Sequence, residues 1–478
     1  MPDTKSPASR ASVARSAIAR HPFRTLLGLL ALAVVVVVLL WDWNWFKRPI
    51  ERRVTAQTGR EFHIDGNLDV NLGRTLTITA DGLRFANTAW AREPEMARSK
   101  RLQFDLRFWP LLRGHMQIPR ITLEQPIVHL QQDGKGQGNW VFNSGNSQLP
   151  EFRNVRIDQG LLTYFDPARK TDIKVSLDSK AQQAGEAEPT ILIDGGGRWN
   201  GNAFKVAGSA ESPLELRDTD RPYRIDLKAT AGATRAHGRG TLLDPLRFRS
   251  MDLKLALAGK NLADLYPLIG VATPDTPPYA LDGRLTRDIL DAKRSTWHYD
   301  NFSGKVGASD LNGDIAVTVG GKRPMFKAKL NSRRLHFDDL AGFIGKAPKA
   351  SSGEASNPAL AAQAATEAAS PRLFPSEPYK LDKLRAMDAD VRLKAGRIET
   401  ITLPMDDMDA HLLIEDGVLR LDPLNFGVAD GTIRSTIRMD AREHIIHTQA
   451  KFSARGMTLG KLMPKAELGK TAVGKVRA

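Results

Sequence analysis

Cysteine is absent from the 478 residues of this chain. The protein can therefore form neither disulfides nor cysteine-ligated metal centres. A chain without disulfides fits a bacterial periplasm and equally a cytosol, so this absence leaves the compartment open.

Catalytic motifs are also missing. The sequence has no G-x-x-x-x-G-K-[ST] phosphate loop, no H-E-x-x-H zinc motif and no G-x-S-x-G nucleophile turn. The glycine run 195–197 lacks a following lysine and is interpreted as a turn. We therefore expect that the chain is not an enzyme and binds no cofactor.

Two sets of possible metal ligands also have simpler interpretations. His444 and His447 are three residues apart, a spacing that directs them to opposite faces of a strand. Asp406, Asp407 and Asp409 lack the regular oxygen ligands and the glycine of an EF-hand loop, and are interpreted as a solvated turn. We expect no metal site.

Acidic residues are outnumbered by basic ones, 54 to 69, and the formal net charge is +15. Such a charge favours anionic partners such as lipid headgroups, lipopolysaccharide or nucleic acid. The basic residues alternate with apolar ones instead of clustering, and no binding motif occurs, which disfavours nucleic acid. A solvated face explains most of these charges equally well.

One long apolar run lies near the N-terminus, at residues 25–46, and its core 26–41 contains neither charge nor proline. A membrane-spanning helix needs about twenty mostly apolar residues. The run reaches that length when Trp43, Trp45 and Phe46 are counted as an interfacial aromatic belt. Because these large aromatics stand where signal peptidase requires small residues, an uncleaved signal anchor is favoured over a cleaved signal peptide. The candidate anchor residues are Leu26, Leu29, Leu32, Val36, Leu40, Trp41, Trp43 and Trp45.

Beyond a short predicted helix that begins near residue 47, the apolar residues recur with period two. Leu68, Val70 and Leu72 alternate with Asp69 and Asn71, and similar runs continue to about residue 421. Strict alternation is typical of strands with one apolar and one wet face. The fold class predicted is mainly β, a long antiparallel sheet.

Asp-Gly and Asn-Gly pairs supply the positive φ angles of tight hairpins and are interpreted as turns between these runs. The pairs are Asp65-Gly66, Asp81-Gly82, Asp133-Gly134, Asp194-Gly195, Asp282-Gly283, Asn312-Gly313, Asp416-Gly417 and Asp430-Gly431. Short helices are predicted at 88–99, 262–269 and 337–344.

Two stretches carry a family resemblance, together with a middle portion at 262–285. The landmarks of the first stretch are Asn87, Trp90, Trp109-Pro110-Leu111-Leu112, Gly114, Gln125-Pro126, Asp133-Gly134 and Gly138-Asn139-Trp140. The second stretch contains ITLPMDDMDAHLLIEDGVLRLDPLNFGVADGTI. With the anchor, most of residues 20–463 resembles the AsmA family of inner-membrane-anchored periplasmic proteins.

The resemblance implies a groove-shaped sheet related to the N-terminal repeats of bridge-like lipid-transfer proteins. It also implies a location in the bacterial inner membrane as a single-pass protein, with a cytoplasmic N-terminus and the bulk of the chain in the periplasm. The expected organisation is a cytoplasmic tail (1–24), a transmembrane signal anchor (25–46), a β-groove domain (47–346), a disordered linker (347–378), a second β segment (379–463) and a flexible tail (464–478).

An apolar strand face must be covered by a second sheet, by helices or by a ligand. A closed sandwich would show the same alternation as an open groove, and the residues alone leave both open. The resemblance favours a long curved sheet that forms an open groove. The candidate lipid-groove lining residues are Leu68, Val70, Leu72, Ile121, Leu123, Ile157, Val175 and Leu255.

The function implied is outer-membrane biogenesis, through binding or conduction of phospholipid acyl chains between membranes. The alternative is an assembly factor that contacts outer-membrane protein precursors by strand addition or through an apolar face. The expected partners are the inner membrane, phospholipid or another lipid, and such precursors, but not nucleic acid.

Overall fold

A computed structural model describes residues 42–73, 75–107, 109–110, 117–142, 151–152, 155–180, 190–212, 220–244, 249–265, 276–291, 294–336, 338–339, 385–399, 405–443, 446–462 and 475–477. The anchor candidates from Leu26 to Trp41 and the predicted linker 347–378 lie outside these residues. Among the residues described, no helix is long and apolar enough to cross a bilayer. The transmembrane segment stays a prediction.

Helices are short in the described part of the chain. A 3₁₀ helix at Trp43–Phe46 leads into α1 (Lys47–Thr58), and α1 ends at Gly59, whose φ of 70° stops the helix in a left-handed cap. A second 3₁₀ turn spans Leu262–Leu265, and α2 spans Leu459–Leu462. The helix predicted from residue 47 is confirmed.

Strands make up most of the described chain. The first sixteen are β1 (Phe62–Ile64), β2 (Leu68–Asn71), β3 (Thr75–Ala86), β4 (Glu95–Arg107), β5 (Gln117–Ile118), β6 (Arg120–Glu124), β7 (Ile127–Gln131), β8 (Glu151–Phe152), β9 (Val155–Asp158), β10 (Gly160–Asp166), β11 (Thr171–Ser179), β12 (Ile191–Trp199), β13 (Asn202–Ala210), β14 (Tyr223–Ala231), β15 (Thr234–Leu243) and β16 (Ser250–Gly259). The remaining ten are β17 (Tyr279–Ile289), β18 (Ser295–Val306), β19 (Ser309–Val319), β20 (Met325–His336), β21 (Asp388–Glu399), β22 (Met405–Glu415), β23 (Val418–Val428), β24 (Gly431–Asp440), β25 (His447–Thr458) and β26 (Lys475–Arg477).

Twenty-four of these strands form one sheet, and β5 pairs with β8 in a separate ribbon. From β10 to β20 each strand pairs antiparallel with the next one in the chain. Within the described residues no pairing joins the last strands to the first, so the sheet is open. The predicted mainly β fold with one long antiparallel sheet is confirmed, and a closed sandwich does not occur among these strands.

The second β segment continues the same sheet. β20 and β21 lie side by side in parallel, from the pair Met325 and Asp388 to the pair His336 and Glu399. A parallel pair needs a long crossover connection, and here residues 337–387 provide it. The two predicted β segments are therefore parts of one sheet.

Several local predictions are wrong. Residues 88–99 are not a helix, because turns and bends occupy 89–94 and β4 begins at Glu95. Asp406, Asp407 and Asp409 lie in β22 at a bulge and not in a solvated turn. Of the other predicted helices, Leu262–Leu265 is a 3₁₀ turn and residues 338–339 are helical, while the rest of both lies outside the described residues.

Four of the predicted Asp-Gly or Asn-Gly turns lie inside strands. These pairs are Asp81-Gly82 in β3, Asp194-Gly195 in β12, Asp282-Gly283 in β17 and Asn312-Gly313 in β19. The glycine run 195–197 is likewise part of β12 and not a turn. Glycine in a strand marks a bend or a close backbone approach, which sequence cannot distinguish from a hairpin.

Helix α1 and the 3₁₀ helix before it cover the first edge of the sheet. The outward backbone N–H groups of Phe62, Ile64 and Leu68 donate to the side chains of Thr55 (3.2 Å), Glu51 (2.9 Å) and Asn44 (3.0 Å), respectively. An uncovered strand edge is a template for pairing with other chains. These three bonds occupy that edge.

Candidate functional site

The candidate site is the apolar face of the sheet. Because paired residues project to the same side, the register traces a row across β11–β16. This row consists of Leu177, Ile193, Gly208, Leu227, Gly238 and Leu255. Large and small residues alternate along it, and the opposite face carries the charged residues of the same strands.

Most of the predicted lining residues lie on this face. Leu68, Leu123 and Ile157 belong to one row, since Leu68 pairs with Ala80, Ala80 with Leu102, Leu102 with Leu123 and Leu123 with Ile157. Val70, Ile121, Val175 and Leu255 occupy neighbouring rows of the same face. Contact of these residues with lipid stays a prediction.

Leu72 is placed differently. It follows the end of β2 and is 68% exposed, so it lies outside the paired part of the face. Of the anchor candidates, Trp43 and Trp45 lie in the 3₁₀ helix before α1, and Trp45 is 62% exposed.

We call the half-buried side chains of the apolar face of β10–β15 the open floor. They are Leu162, Tyr164, Ile173, Leu177, Ile193, Phe204, Val206, Leu227, Ala229 and Ala236. On the same face Val175, Ile191, Ala210, Tyr223 and Leu242 are buried. A flat single layer would expose such a face, so partial burial indicates that the sheet curls and neighbouring strands shield one another. The result is a groove with an apolar floor.

Glycines on this face permit the curl. Gly197 in β12 and Gly240 in β15 have φ angles of +148° and +153°, which side chains rarely adopt. An added Cβ would collide with the carbonyl oxygen of Asp172 at Gly197 and with that of Asp252 at Gly240. Glycine kinks of this kind are how curved sheets are built.

We call the buried cluster of β17–β22 the closed segment. Its buried members include Tyr279, Leu281, Tyr299, Phe302, Val306, Ala328, Leu330, Leu335, Ala389, Val391, Leu393, Ala395, Ile398 and Ala410. Phe302 is 1% exposed and stacks on Tyr299 with 5.4 Å between ring centroids. The Tyr299 hydroxyl donates to the carbonyl of Leu255 (3.0 Å), and burial raises the pKa of Tyr299 above its usual value. In the closed segment, side chains of the protein itself therefore fill the inside of the curled sheet.

The polar face is held by exposed ion pairs. Asp226 on β14 bonds to His237 (2.7 Å) and to Arg239 on β15. Hydrogen bonds from His237 and then from Arg239 lower the pKa of Asp226. Arg284 holds Asp252 in the same way (2.6 Å) and lowers its pKa. Such solvent-exposed pairs contribute little stability each, so this face mainly provides solubility and register.

Asn139, to which the sequence gives no structural role beyond its place among the landmarks, is buried and joins two parts of the first stretch. Asn139 is 0% exposed, and its amide donates to the Asn87 side chain (3.0 Å) and to the carbonyl of His129 (2.8 Å). The N–H of Gln131 donates to the Asn139 side chain (3.0 Å). Spacing could not predict this contact, although both residues belong to the landmarks of the family resemblance.

No cluster of three or more histidine, cysteine or acidic side chains that could hold a metal ion occurs in the described residues. His447 begins β25, and His444 lies outside the described residues. What the site offers chemically is a long apolar surface with a charged outer face.

Known proteins resemble this chain along most of its length. The model of the AsmA family matches residues 14–160 and 153–477. AsmA family protein YhjG of Escherichia coli (strain K12) is 30% identical over 474 residues, which cover 90% of this chain and 68% of that protein. No solved structure matches the chain significantly. The chain belongs to the AsmA family.

Proposed function

We propose that the protein is anchored in the bacterial inner membrane, lies mainly in the periplasm and binds or conducts phospholipid acyl chains between membranes in outer-membrane biogenesis. Membership of the AsmA family supports an outer-membrane or lipid-related function. The observation that carries the proposal is the open floor, whose apolar side chains are only half-buried within a curled sheet.

The energetics favour an acyl chain as the occupant. Each buried methylene contributes about 0.8 kcal/mol, so an acyl chain exposed in transit would lose on the order of 10 kcal/mol. The continuous row of apolar side chains shields the acyl chain from water along the groove, while the headgroup stays in water at the mouth of the groove. The acyl chain in turn shields the half-buried side chains of the open floor from water.

Adjacent residues of β12 provide the test. Ile193 lies on the open floor, whereas Leu192 lies on the outer face and is 45% exposed. A photo-crosslinking amino acid at position 193 should capture phospholipid in cells, and the same probe at position 192 should not. Equal capture at both positions, or none at 193, would contradict the proposal.

A matched pair of substitutions repeats the test by binding. Ile193→Asp should abolish co-purification of lipid with the detergent-extracted protein, because it places a charge on the floor. Leu192→Asp introduces the same charge on the wet face and should leave the bound lipid unchanged. If both variants retain lipid, the floor is not the binding surface.

A second candidate function, assistance of outer-membrane protein assembly, is favoured by the far edge of the sheet. Strand β25 pairs with β26 only through Arg455, Met457 and Thr458. Residues 447–454 have no second partner strand in the described part of the chain, and Phe452 is 67% exposed. Such an edge could accept a strand of a precursor. Crosslinks from position 452 to precursors, without lipid at position 193, would select this function over the first.

A further inference from the structure

Helix α1 lies along the first edge of the sheet, and none of its residues is buried. The side that meets the sheet is polar, because Glu51 (2.9 Å) and Thr55 (3.2 Å) accept backbone N–H groups of β1. Asn44 of the preceding 3₁₀ helix accepts one from β2 (3.0 Å). The order of these contacts shows that the two helices run antiparallel to β1 and β2, so their N-terminal end lies beside β2.

The other side of the two helices combines apolar and basic side chains. We call its bulky exposed residues the outer helix surface: Trp45, Phe46, Arg48, Ile50, Arg52 and Arg53. The three apolar side chains among them are 62%, 43% and 39% exposed. Aromatic and aliphatic residues next to arginine are typical of helices that lie in the interface between a membrane and water.

The arginines of the outer helix surface make no ion pair with any residue that the structure describes. Glu51 is the single acidic residue of α1, and its carboxylate is bonded to the N–H of Ile64 on the opposite side. The carboxylate of Asp42, before the 3₁₀ helix, accepts the backbone N–H of Asn44 (2.9 Å). Three positive charges therefore remain available to an anionic partner.

The position of this surface in the chain indicates which partner it meets. The described residues begin at Asp42, directly after the charge-free run 26–41 that is predicted as the membrane anchor. The outer helix surface begins only a few residues beyond that run. A bilayer that holds the anchor brings its headgroups to this surface, whereas any other anion would have to diffuse to it.

We infer that the outer helix surface lies on the anionic headgroups of the membrane that holds the anchor, with its apolar side chains in the interface and its arginines on lipid phosphates. The inference rests on the anchor of the proposed function and adds a second membrane contact, which orients the sheet. The first edge then faces the membrane. Strand pairing leads away from it through β3, β4, β7 and β10, and β25 is the end farthest from the membrane.

Single labels on the chain test this orientation, because a protein without cysteine accepts one label at one introduced cysteine. Ile50→Cys, Gln57→Cys and Phe452→Cys each carry an environment-sensitive fluorophore in the whole chain, reconstituted into vesicles that contain phosphatidylglycerol and a spin-labelled lipid quencher. The labels at 50 and at the exposed position 57, about 10 Å farther along α1, should be quenched to a similar extent, because both lie on a helix in the membrane plane. The label at 452, where the side chain is 67% exposed at the far edge, should not be quenched.

Charge removal separates membrane binding from mere closeness to the anchor. Arg48→Gln/Arg52→Gln/Arg53→Gln should lose most of the quenching at position 57, because each arginine near an anionic surface contributes to binding. Vesicles of phosphatidylcholine alone, or high salt, should cause the same loss in the unmodified helix.

A matched control removes the same charge at the far edge. Arg420→Gln/Arg434→Gln/Arg455→Gln changes three exposed arginines of β23–β25 that also make no ion pair within the described part of the chain, and it should leave the quenching unchanged.

The outcomes separate this inference from the proposed function. The inference alone is overturned if the label at position 57 is not quenched in a chain that still captures phospholipid at position 193, because α1 then stands clear of the bilayer. Equal quenching in phosphatidylglycerol and phosphatidylcholine vesicles, or an equal loss in the arginine variant and its control, also overturns it. A chain that does not insert into vesicles overturns the proposed anchor, and the inference fails with it.

Discussion

The open floor and the closed segment are built from the same period-two strands, yet the chain buries them differently. Floor residues such as Ile193 and Phe204 stay half-buried. In the closed segment Phe302 and Leu335 are 1% and 2% exposed. Alternation therefore decides which side chains share a face, and not how deeply that face is buried.

Two features close the second region, and a third keeps the first region open. Register shifts in β17 and β18 bring Tyr299 and Phe302 together on the apolar face. Leu265 of the 3₁₀ turn and Met387 before β21 add side chains from outside the strands. On the open floor the facing positions are more often glycine, as at Gly208 and Gly238. The packed core of the closed segment and the groove above the open floor therefore differ in the volume of the side chains that face inward.

The largest expected effect is on the core of the closed segment. Phe302→Ala should lower the free energy of unfolding by about 3–5 kcal/mol, because it opens a cavity among buried side chains. Phe204→Ala on the open floor should cost about 1 kcal/mol, since the ring is already half-exposed. Denaturant unfolding of both variants checks the difference, and equal losses would remove the distinction between the two regions.

Next in size is a glycine of the open floor. Gly197→Ala should destabilise the chain by about 1–3 kcal/mol, because the new Cβ meets the carbonyl of Asp172 at a φ unsuited to alanine. Gly134→Ala is the control, since nothing lies within 4 Å of an added Cβ there. The denaturant midpoints of unfolding of the two variants measure the difference. If Gly197→Ala leaves the midpoint unchanged, the curl of the sheet does not depend on this glycine.

A smaller effect is expected from the buried hydroxyl of Tyr299. Tyr299→Phe removes its bond to the Leu255 carbonyl and should cost about 1 kcal/mol at neutral pH. Since burial raises the pKa of Tyr299 in the folded state, its contribution is complete below about pH 10 and is lost as the pH rises above that value. Thermal unfolding at pH 7 and pH 11 should show less alkaline destabilisation in the variant than in the unmodified chain. The same alkaline loss in both would assign it to another group.

The smallest effect on stability is expected from substitutions in exposed ion pairs. Such a substitution should have a similarly small effect in either region. On the polar face of β14 and β15, hydrogen bonds from His237 and then from Arg239 lower the pKa of Asp226, and Arg323, in the turn before β20, lowers that of Asp416. A depressed carboxyl pKa stabilises the fold above its ordinary value near 4, and the stabilisation is lost as the pH falls below that value. Arg239→Gln and Arg323→Gln should each reduce acid sensitivity between pH 5 and pH 3 only slightly, because the pairs are exposed. A shift in either variant as large as that of Phe302→Ala would contradict this.

Much of the fold could be predicted from the sequence. Alternation predicts that residues as far apart as Leu68 and Leu255 face the same side, and in the structure each lies in a row of apolar or small paired residues, Leu68 opposite Ala80 and Leu255 opposite Gly238. Burial could not be predicted, because it depends on curl, and curl depends on glycines such as Gly195 and Gly313 that a one-dimensional pattern presents as turns. The parallel pairing of β20 with β21 could not be predicted either, because no local pattern spans residues 337–387.

The candidate site was predicted in part for a related reason. Period two identified the floor, but the ion pairs of the polar face depend on which carboxylates lie nearby, as between Arg224 and Glu211. Those distances exist only in the folded sheet.

The side chains that α1 and the 3₁₀ helix before it place against β1 and β2 make the two ends of the sheet unlike. Three backbone N–H groups are already bonded at the edge beside α1, whereas residues 447–454 of β25 have no second partner among the described strands. A strand from another molecule is therefore expected to pair at β25 and not beside α1.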